Sequence, residues 1–266
     1  PQIDFNTIKT FKSTLKKIIN DVKAFSDTNI PILFMGEKGT GKDLLAFSVY
    51  KNSNLKNSPL VIINCNYMNR SKWEKLFESE NSPFLDINLT FYFRYLDTLS
   101  NKSKERLEEY LSNTLVHKRN RFIFSYTTYT PQAIDEDSLI QFLRNDLGVI
   151  TFSLPTVNDR KDDIASLTSI ILGDLMPKYR KQVLGLMPEA LDLLKNFNWR
   201  YNIDQLQRVI EQVLILTDDY YIDAKKGTSS DDDIYCTCNL RSEPAIFSTC
   251  YNRRGSNGNR NFLFWF

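Results

Sequence analysis

The sequence predicts an α/β fold in which a parallel sheet is flanked by helices and followed by a small all-helical subdomain. As far as Pro155, short apolar runs alternate with stretches of helical periodicity. A glycine-rich turn joins the first run to a helix, and beyond Pro155 the periodicity is helical. Strands that alternate with helices predict a parallel sheet, because each parallel connection needs a crossover that covers one of its faces.

Five apolar runs are predicted to be the strands of this sheet. Each has the length and composition of a buried strand, and the third is rich in the aromatic residues that strands favour. In chain order they are residues 30–35, 59–65, 89–96, 121–128 and 149–155. The first run stops at Gly36, where the glycine-rich turn begins.

Apolar residues at helical spacing predict the helices that cover the sheet. The first helix, over residues 7–25, carries Ile8, Phe11, Leu15, Ile18, Ile19, Val22 and Phe25. Further helices are expected from Asp43 onward and over residues 70–77, 100–115 and 138–147. After Pro155 come three more helical stretches, the second of which has Pro188 in its first turn, a favourable place for proline.

Three regions are therefore expected along the chain. Residues 1–158 form the α/β subdomain and residues 159–226 the helical subdomain. Residues 227–266 have no clear period, and we predict a disordered or loosely packed tail. The abrupt change of composition there is also compatible with a degenerated or out-of-frame end of the coding sequence.

Bulk properties exclude several classes of protein. No apolar run approaches the about 20 residues that span a bilayer, and the N-terminus has no signal-peptide core. The net charge of +2 is too small to imply nucleic acid or a membrane surface by itself. We expect a cytoplasmic protein without membrane contact, and the start at Pro1 indicates a processed chain or a fragment.

The segment GEKGTGKD, residues 36–43, has the outline of a phosphate loop. Its glycines permit backbone angles that let several N–H groups converge on a phosphate at the N-terminus of a helix. We predict that ATP or ADP is bound here. The predicted binding residues are Gly36, Glu37, Lys38, Gly39, Thr40, Gly41, Lys42 and Asp43, with Lys42 on the outer phosphates. The alternative is a glycine turn that only caps a helix.

Four ordered motifs resemble the AAA+ ATPase domain of sigma-54-dependent transcription activators, the bacterial enhancer-binding proteins. The loop is similar to that family's GExGTGKE, and SPLVIINC resembles its xPFxxxNC. RNDLGVITF resembles FRxDLYYRLNVxxI, and ALDLLKNFNWRYNIDQL resembles ALxxLxxYxWPGNVREL. The resemblance covers residues from about 5 to 225. It implies a P-loop AAA+ sheet, a helical lid, and ATP at the junction between neighbouring subunits of a homo-oligomeric ring.

The chain departs from the family at the catalytic acids. The family's Walker B strand reads GTLFLDEIxEL, and its Asp and Glu fall here on Arg94 and Tyr95. A guanidinium cannot coordinate magnesium, and a protonated phenol is a poor base. Whether magnesium binds at all is left open. Asp86, in an alternative register, and Asp97 are the weak candidates for holding it.

Two other family features are missing from the sequence. The sigma-contacting GAFTGA loop should precede the third strand, but EKLFESENSPFLDINLT runs straight into it. A contact with sigma-54 is therefore doubtful. The region after residue 226 lacks two adjacent amphipathic helices, so no DNA-binding helix-turn-helix is predicted.

Two positions match the remaining family features in part, and a third departs from them. Thr127 is predicted as the polar sensor I residue, and Arg144 as an arginine that reaches the nucleotide of a neighbouring subunit. The sensor II arginine of the family falls on Asp204, whose carboxylate would repel phosphates.

Our function prediction is an ATP-binding AAA+ module in transcription regulation, with ATP hydrolysis weak or lost. The alternative is a non-catalytic regulatory or scaffold protein that uses the AAA+ fold as an interaction surface. An active ATPase that relies on Asp86 or Asp97 is the third hypothesis.

Overall fold

The computed structural model of the chain describes residues 5, 8, 10–113, 116–130, 137–223 and 262–265. Its centre is a parallel sheet whose strands are β1 (Ile32–Gly36), β2 (Leu60–Asn64), β3 (Thr90–Arg94), β4 (Arg121–Thr127) and β5 (Ile150–Ser153). A short strand, β8 (Phe262–Trp265), pairs with β2 at the edge. The spatial order is β5-β1-β4-β3-β2-β8, and every pair is parallel.

Helices cover both faces of the sheet. In the α/β part they are α1 (Ser13–Ala24), α2 (Lys42–Lys51), α3 (Arg70–Glu78), α4 (Asn101–Asn113), α5 (Val116–Arg119) and α6 (Ser138–Asn145). Successive residues of β1 point to opposite faces, as strand geometry requires. Leu33 and Met35 join one buried cluster, while Ile32 and Phe34 join the other. The predicted parallel α/β sheet is confirmed.

The lid follows β5 and has a core of its own around Trp199. It consists of α7 (Ile164–Tyr179), α8 (Pro188–Asn196) and α9 (Asn202–Leu216). Two-residue strands, β6 (Gly185–Leu186) and β7 (Tyr221–Ile222), pair beside these helices. The lid is therefore not entirely helical, because the connection after α7 is hydrogen-bonded to the segment after α9.

The first helix is shorter than the predicted range of residues 7–25 and begins at Ser13. The backbone N–H of Phe11 donates to the carboxylate of Asp163 in the lid instead of to a helical carbonyl. Phe11 is 64% exposed, so the apolar stripe read from the sequence does not reach it. A tertiary contact thus replaces the first turns of the expected helix.

The predicted tail of residues 227–266 lies outside the described residues except for β8. None of the helices in the described ranges is both long and apolar enough to cross a membrane.

Candidate nucleotide-binding site

The glycine-rich loop lies at the junction between β1 and α2, the place that a phosphate loop requires. Gly39 has a φ of +78°, and Gly41, which precedes the first turn of α2, has a φ of +105°. These left-handed angles are readily adopted by glycine. No side chain caps the N-terminus of α2, so its first N–H groups have no side-chain acceptor. Such an N-terminus favours an anion.

Lys42 is buried and folds back over the loop. Its Nζ donates hydrogen bonds to the carbonyl oxygens of Gly36 and Glu37, both at 2.7 Å. Burial lowers the pKa of the Lys42 ammonium to about 8, although the carboxylates of Asp43, Asp97, Asp204 and Glu37 oppose this shift. The ammonium is therefore surrounded by acceptors and negative charge within its own chain.

Arg94 forms an ion pair with Asp43. Its Nε donates to Oδ1 of Asp43 at 3.1 Å, and its Nη2 donates to Oδ2. The hydroxyl of Tyr92 donates to the same Oδ1 at 2.6 Å. Asp43 therefore accepts three hydrogen bonds from the end of β3, including two from one guanidinium, which is the strong bidentate geometry.

Tyr95 stands where the family's water-activating acid would be. It has a left-handed φ of +62°, and its hydroxyl accepts a hydrogen bond from Nη2 of Arg94 at 3.1 Å. Burial raises the pKa of the Tyr95 hydroxyl further above its usual value near 10. The phenol is protonated at neutral pH and cannot act there as a general base.

Asp97 and Thr127 are neighbours beside the loop. The backbone N–H of Thr127 donates to Oδ1 of Asp97 at 2.7 Å. Burial raises the pKa of Asp97, whereas this hydrogen bond and the positive charge of Lys42 oppose the shift. The structure thus brings the predicted sensor residue Thr127 and the weak magnesium candidate Asp97 into the surroundings of Lys42.

Asp86 lies away from the loop, whereas Arg144, predicted to act on a neighbouring subunit, contacts Met35 of its own chain. Asp86 precedes β3, whereas the loop follows β1. Because the strands are parallel, these positions lie at opposite ends of the strands. Asp86 is exposed, and its backbone carbonyl accepts from Asn120 at 3.0 Å. Arg144 is half-buried, with Nη2 3.8 Å from Sδ of Met35 in the same chain.

The start of α9 packs directly on the loop. The backbone N–H of Ile203 donates to the carbonyl of Gly39 at 2.9 Å. Asn202 donates through Nδ2 to the carbonyl of Lys38 at 2.9 Å and to Oε2 of Glu37 at 3.1 Å. Its Oδ1 accepts from the backbone N–H of Val157 at 2.8 Å. One buried amide therefore joins the loop, the segment before the lid and the lid helix.

Asp204 lies beside Gly39, since a Cβ atom added to this glycine would be 3.1 Å from the Asp204 carboxyl carbon. Burial raises the pKa of Asp204, while the nearby lysines Lys38 and Lys42 act in the opposite direction. An acid thus faces the loop where the family has an arginine, as the sequence predicts.

A second buried link joins the N-terminal segment to the loop. Thr10 Oγ1 donates to Asp163, and Arg160 lies beside Asp163 with Nη1 3.8 Å from Oδ2. Nη2 of Arg160 donates to the carbonyl of Thr40 at 3.1 Å. Both Arg160 and Asp163 are almost completely buried. The segment before α1 therefore reaches the phosphate loop through two lid residues.

Sequence reasoning missed the roles of Asn202, Tyr92 and Asp163. The position of Asn202 could have been found, because it matches the asparagine of the family's WPGNVREL motif. Tyr92 is one aromatic residue among several in β3, and Asp163 is one acid in the run DRKDD, so neither carries a sequence signal.

A cleft of about 440 Å³ opens beside the loop, between Glu37 and the lid. It is lined by Glu37, Tyr129, Asn158, Asn198, Arg200 and Tyr201. This volume lies within the range of small-molecule sites.

The loop fits the phosphates of a nucleotide, whereas the two positions that usually ligate magnesium in phosphate-loop proteins do not fit the metal here. The loop offers left-handed glycines, a helix N-terminus without a side-chain cap, and Lys42. Phosphate-loop proteins hold magnesium between the residue after the lysine and an acid on a neighbouring strand. Those positions are Asp43 and Arg94 here, and they are ion-paired with each other. A cation in the second position cannot ligate a metal.

Two family models match parts of this chain. Residues 8–88 match the model of the sigma-54 interaction domain, and residues 158–226 match that of the AAA+ ATPase lid domain. The chain is 26% identical over 237 residues to the transcriptional regulatory protein ZraR of Klebsiella oxytoca, covering 80% of this chain and 53% of ZraR. It is 24% identical over 234 residues to the regulatory protein AtoC of Escherichia coli, covering 79% of this chain and 50% of AtoC.

Solved structures show the same fold. NtrX from Brucella abortus in complex with ADP superposes with a TM-score of 0.69 at 20% identity, over 85% of this chain and 55% of NtrX. DnaA from Aquifex aeolicus bound to AMPPCP gives a TM-score of 0.54 at 16% identity, over 80% of this chain and 65% of DnaA.

The sheet, the loop and the lid define an AAA+ P-loop domain. Within this class residues 8–88 are similar to the sigma-54 interaction domain, and the relatives ZraR and AtoC are regulatory proteins, so the resemblance read from the motifs is confirmed. The chain spans about half the length of the curated relatives it matches.

Proposed function

We propose that this chain is the ATP- or ADP-binding AAA+ module of a sigma-54-interaction-type transcription regulator, and that its hydrolysis of ATP is weak or lost. The observation that carries the proposal is the contrast between two neighbouring parts of one site. Lys42 and the left-handed glycines are retained in the phosphate loop, while Arg94 and Tyr95 replace the acids that hold magnesium and activate water.

Nucleotide binding is supported by the loop and by the related structures. NtrX was solved in complex with ADP and also with ATP, and DnaA was solved with AMPPCP. In this chain the N–H groups at the start of α2 would hold the phosphates. Lys42 would exchange the carbonyls of Gly36 and Glu37 for phosphate oxygens.

The loss of hydrolysis follows from the chemistry of the replacements. A protonated Tyr95 does not accept the proton of an attacking water. Asp204 places a carboxylate where the family has an arginine, so developing negative charge on the terminal phosphate is not stabilised from the lid.

The assembly and the partner also remain proposals. We expect a homo-oligomeric ring, with Arg144 as the residue that reaches the nucleotide of a neighbouring subunit. A sigma-54 contact remains doubtful, because only residues 79–89 connect α3 with β3. These residues contain one short 3-10 turn, Pro83–Leu85, and no room for a long extended loop.

The test is calorimetry and thermal unfolding with ATP and ADP, combined with a phosphate-release assay on wild type and Lys42→Ala. We expect binding that Lys42→Ala abolishes, and phosphate release no faster than that of the variant. Turnover clearly above Lys42→Ala would favour an active ATPase that uses Asp97 instead. An absence of any binding by the wild type would remove the proposal.

One observation favours the second candidate, a non-catalytic scaffold. The carbonyl groups of the loop already accept hydrogen bonds within the chain, from Lys42 and from the lid residues Asn202 and Ile203. A scaffold would keep this closed arrangement without nucleotide. It predicts an unchanged unfolding temperature at any concentration of ATP or ADP, whereas binding raises it by mass action.

A further inference from the structure

We propose that nucleotide binding at this loop is independent of magnesium, because the guanidinium of Arg94 takes the place of the metal and donates directly to the phosphates. The inference rests on the proposed nucleotide binding and names the form of the ligand. That form is the metal-free triphosphate or diphosphate.

Arg94 occupies the position of a magnesium ligand. In phosphate-loop proteins, the protein ligands of magnesium are the residue after the loop lysine and the acid at the end of a neighbouring strand. In this chain these two positions contact each other, through Nε to Oδ1 at 3.1 Å and through Nη2 to Oδ2. The carboxylate of Asp43 is thus occupied by the cation that replaces its partner acid.

The positive charge of Arg94 also opposes the binding of a metal ion. Arginine stays protonated at all pH values relevant to proteins, so Arg94 repels a divalent cation from this corner of the site. A magnesium ion would also have to displace the hydrogen bond from Tyr92 to Asp43, at 2.6 Å. Magnesium gives up its water ligands reluctantly, and a single carboxylate that is already ion-paired does not compensate for their loss.

The described residues do not use all the hydrogen-bond donors of Arg94. Nε and Nη2 of Arg94 bind Asp43, and Nη2 also donates to the hydroxyl of Tyr95 at 3.1 Å. Within the part of the chain that the structure describes, the N–H groups on Nη1 have no hydrogen-bond partner. The side chain is 21% exposed, so these donors are accessible. A guanidinium fixed by one carboxylate is well suited to bind a phosphate oxygen with its other donors.

The wild-type protein tests the inference without any substitution. The affinity for ATP and ADP is measured by calorimetry in excess EDTA and again in excess magnesium. Tighter binding in EDTA is expected, because excess magnesium complexes the metal-free nucleotide. Equal affinity would mean that the magnesium complex binds as well, and would overturn the inference. Binding that requires magnesium would overturn the inference and leave the proposed nucleotide binding intact. Binding under neither condition would overturn both this inference and the proposed nucleotide binding.

Substitutions then test the role of Arg94. Because Arg94→Ala also releases the Asp43 carboxylate toward the phosphates, we compare Asp43→Asn with the Asp43→Asn/Arg94→Ala double variant. Removing the guanidinium in this background should weaken ATP binding about ten- to a hundredfold. An unchanged affinity would mean that Arg94 only neutralises Asp43, and would overturn the inference.

Arg94→Asp restores the acid of the family and should convert the site to one that binds ATP only with magnesium. Electron paramagnetic resonance of manganese, used as the probe ion, should detect an ion bound with ATP in this variant and not in wild type. The matched control is Arg70→Ala, because Arg70 is an exposed arginine that also pairs with a carboxylate, that of Glu74. This control should bind ATP as wild type does, and circular dichroism verifies that each variant is folded.

Discussion

The backbone N–H of Ile203, in the first turn of the last lid helix, donates to the carbonyl oxygen of Gly39 across 2.9 Å. Residues of the lid and of the phosphate loop are thus joined by main-chain atoms, not only by side chains. Any change that moves the loop must move the start of α9 as well. The stability of the lid and the shape of the candidate site are therefore coupled, and substitutions at their contact should reveal it.

Gly39→Ala should destabilise the protein by about 2 to 4 kcal/mol. A Cβ atom at this position would lie 2.3 Å from the carbonyl oxygen of Tyr201, and the backbone φ of +78° is unfavourable for alanine. The free energy of unfolding in urea measures the effect. The control is Gly173→Ala in α7, where an added Cβ atom meets nothing within 4 Å. That substitution should raise stability by about 0.5 to 1 kcal/mol, as expected in a helix. Equal effects at the two positions would contradict the proposed contact.

Asn202→Ala should cost about 2 to 4 kcal/mol of unfolding free energy. The change leaves the buried N–H of Val157 and the carbonyl of Lys38 without this partner, and it forces alanine into a φ of +51°. The control is Asn196→Ala at the exposed end of α8, which should change stability by less than about 0.5 kcal/mol. A loss below about 1 kcal/mol at Asn202 would mean that water replaces its hydrogen bonds.

Asp163→Asn should loosen the segment before α1. It removes the negative charge beside the buried guanidinium of Arg160 and weakens the acceptor for Thr10 and Phe11. Breaking one side of a buried ion pair costs about 3 kcal/mol or more. We expect faster trypsin cleavage after the exposed Lys12 and a lower unfolding temperature. Asp162→Asn, at the exposed neighbouring position, is the control and should be cleaved as wild type is.

Lys42 should make stability depend on pH above neutrality. Burial lowers its pKa in the folded state to about 8 from a reference value of 10.5. Between these values the unfolded chain holds more protons than the folded chain, so the unfolding free energy rises with pH across this window. The full rise due to Lys42 is about 3 kcal/mol.

The measurement is the difference in unfolding free energy between wild type and Lys42→Met from about pH 7.5 to 10.5. The unfolding free energy of wild type should increase relative to that of Lys42→Met as pH increases. Lys17→Met, which removes an exposed lysine of α1, is the control and should follow wild type. A flat difference for Lys42→Met would mean that the ammonium keeps its proton when the protein is folded.

Much of the fold could be predicted from the sequence because its signals are local. All five strands of the α/β part were predicted from their apolar runs, and the observed bounds differ by at most a few residues. The phosphate loop was predicted because its glycines and Lys42 lie together in one short segment. By contrast, the N-terminal helix was predicted too long. The N–H of Phe11 donates to Asp163, a residue far along the chain that the local pattern does not include.

The amino-acid sequence was enough to predict that a phosphate loop connects a strand to a helix, because the residue types and their spacing are local. That a cation and a phenol stand where the family has two acids followed from the resemblance of the third strand to that family. The folded structure was needed to show that Arg94 binds Asp43, that Asn202 and Ile203 hold the loop, and that Asp86 lies at the end of the strands away from the loop. These relationships join residues distant in the chain, and they arise because strand order and parallel direction set which strand ends meet.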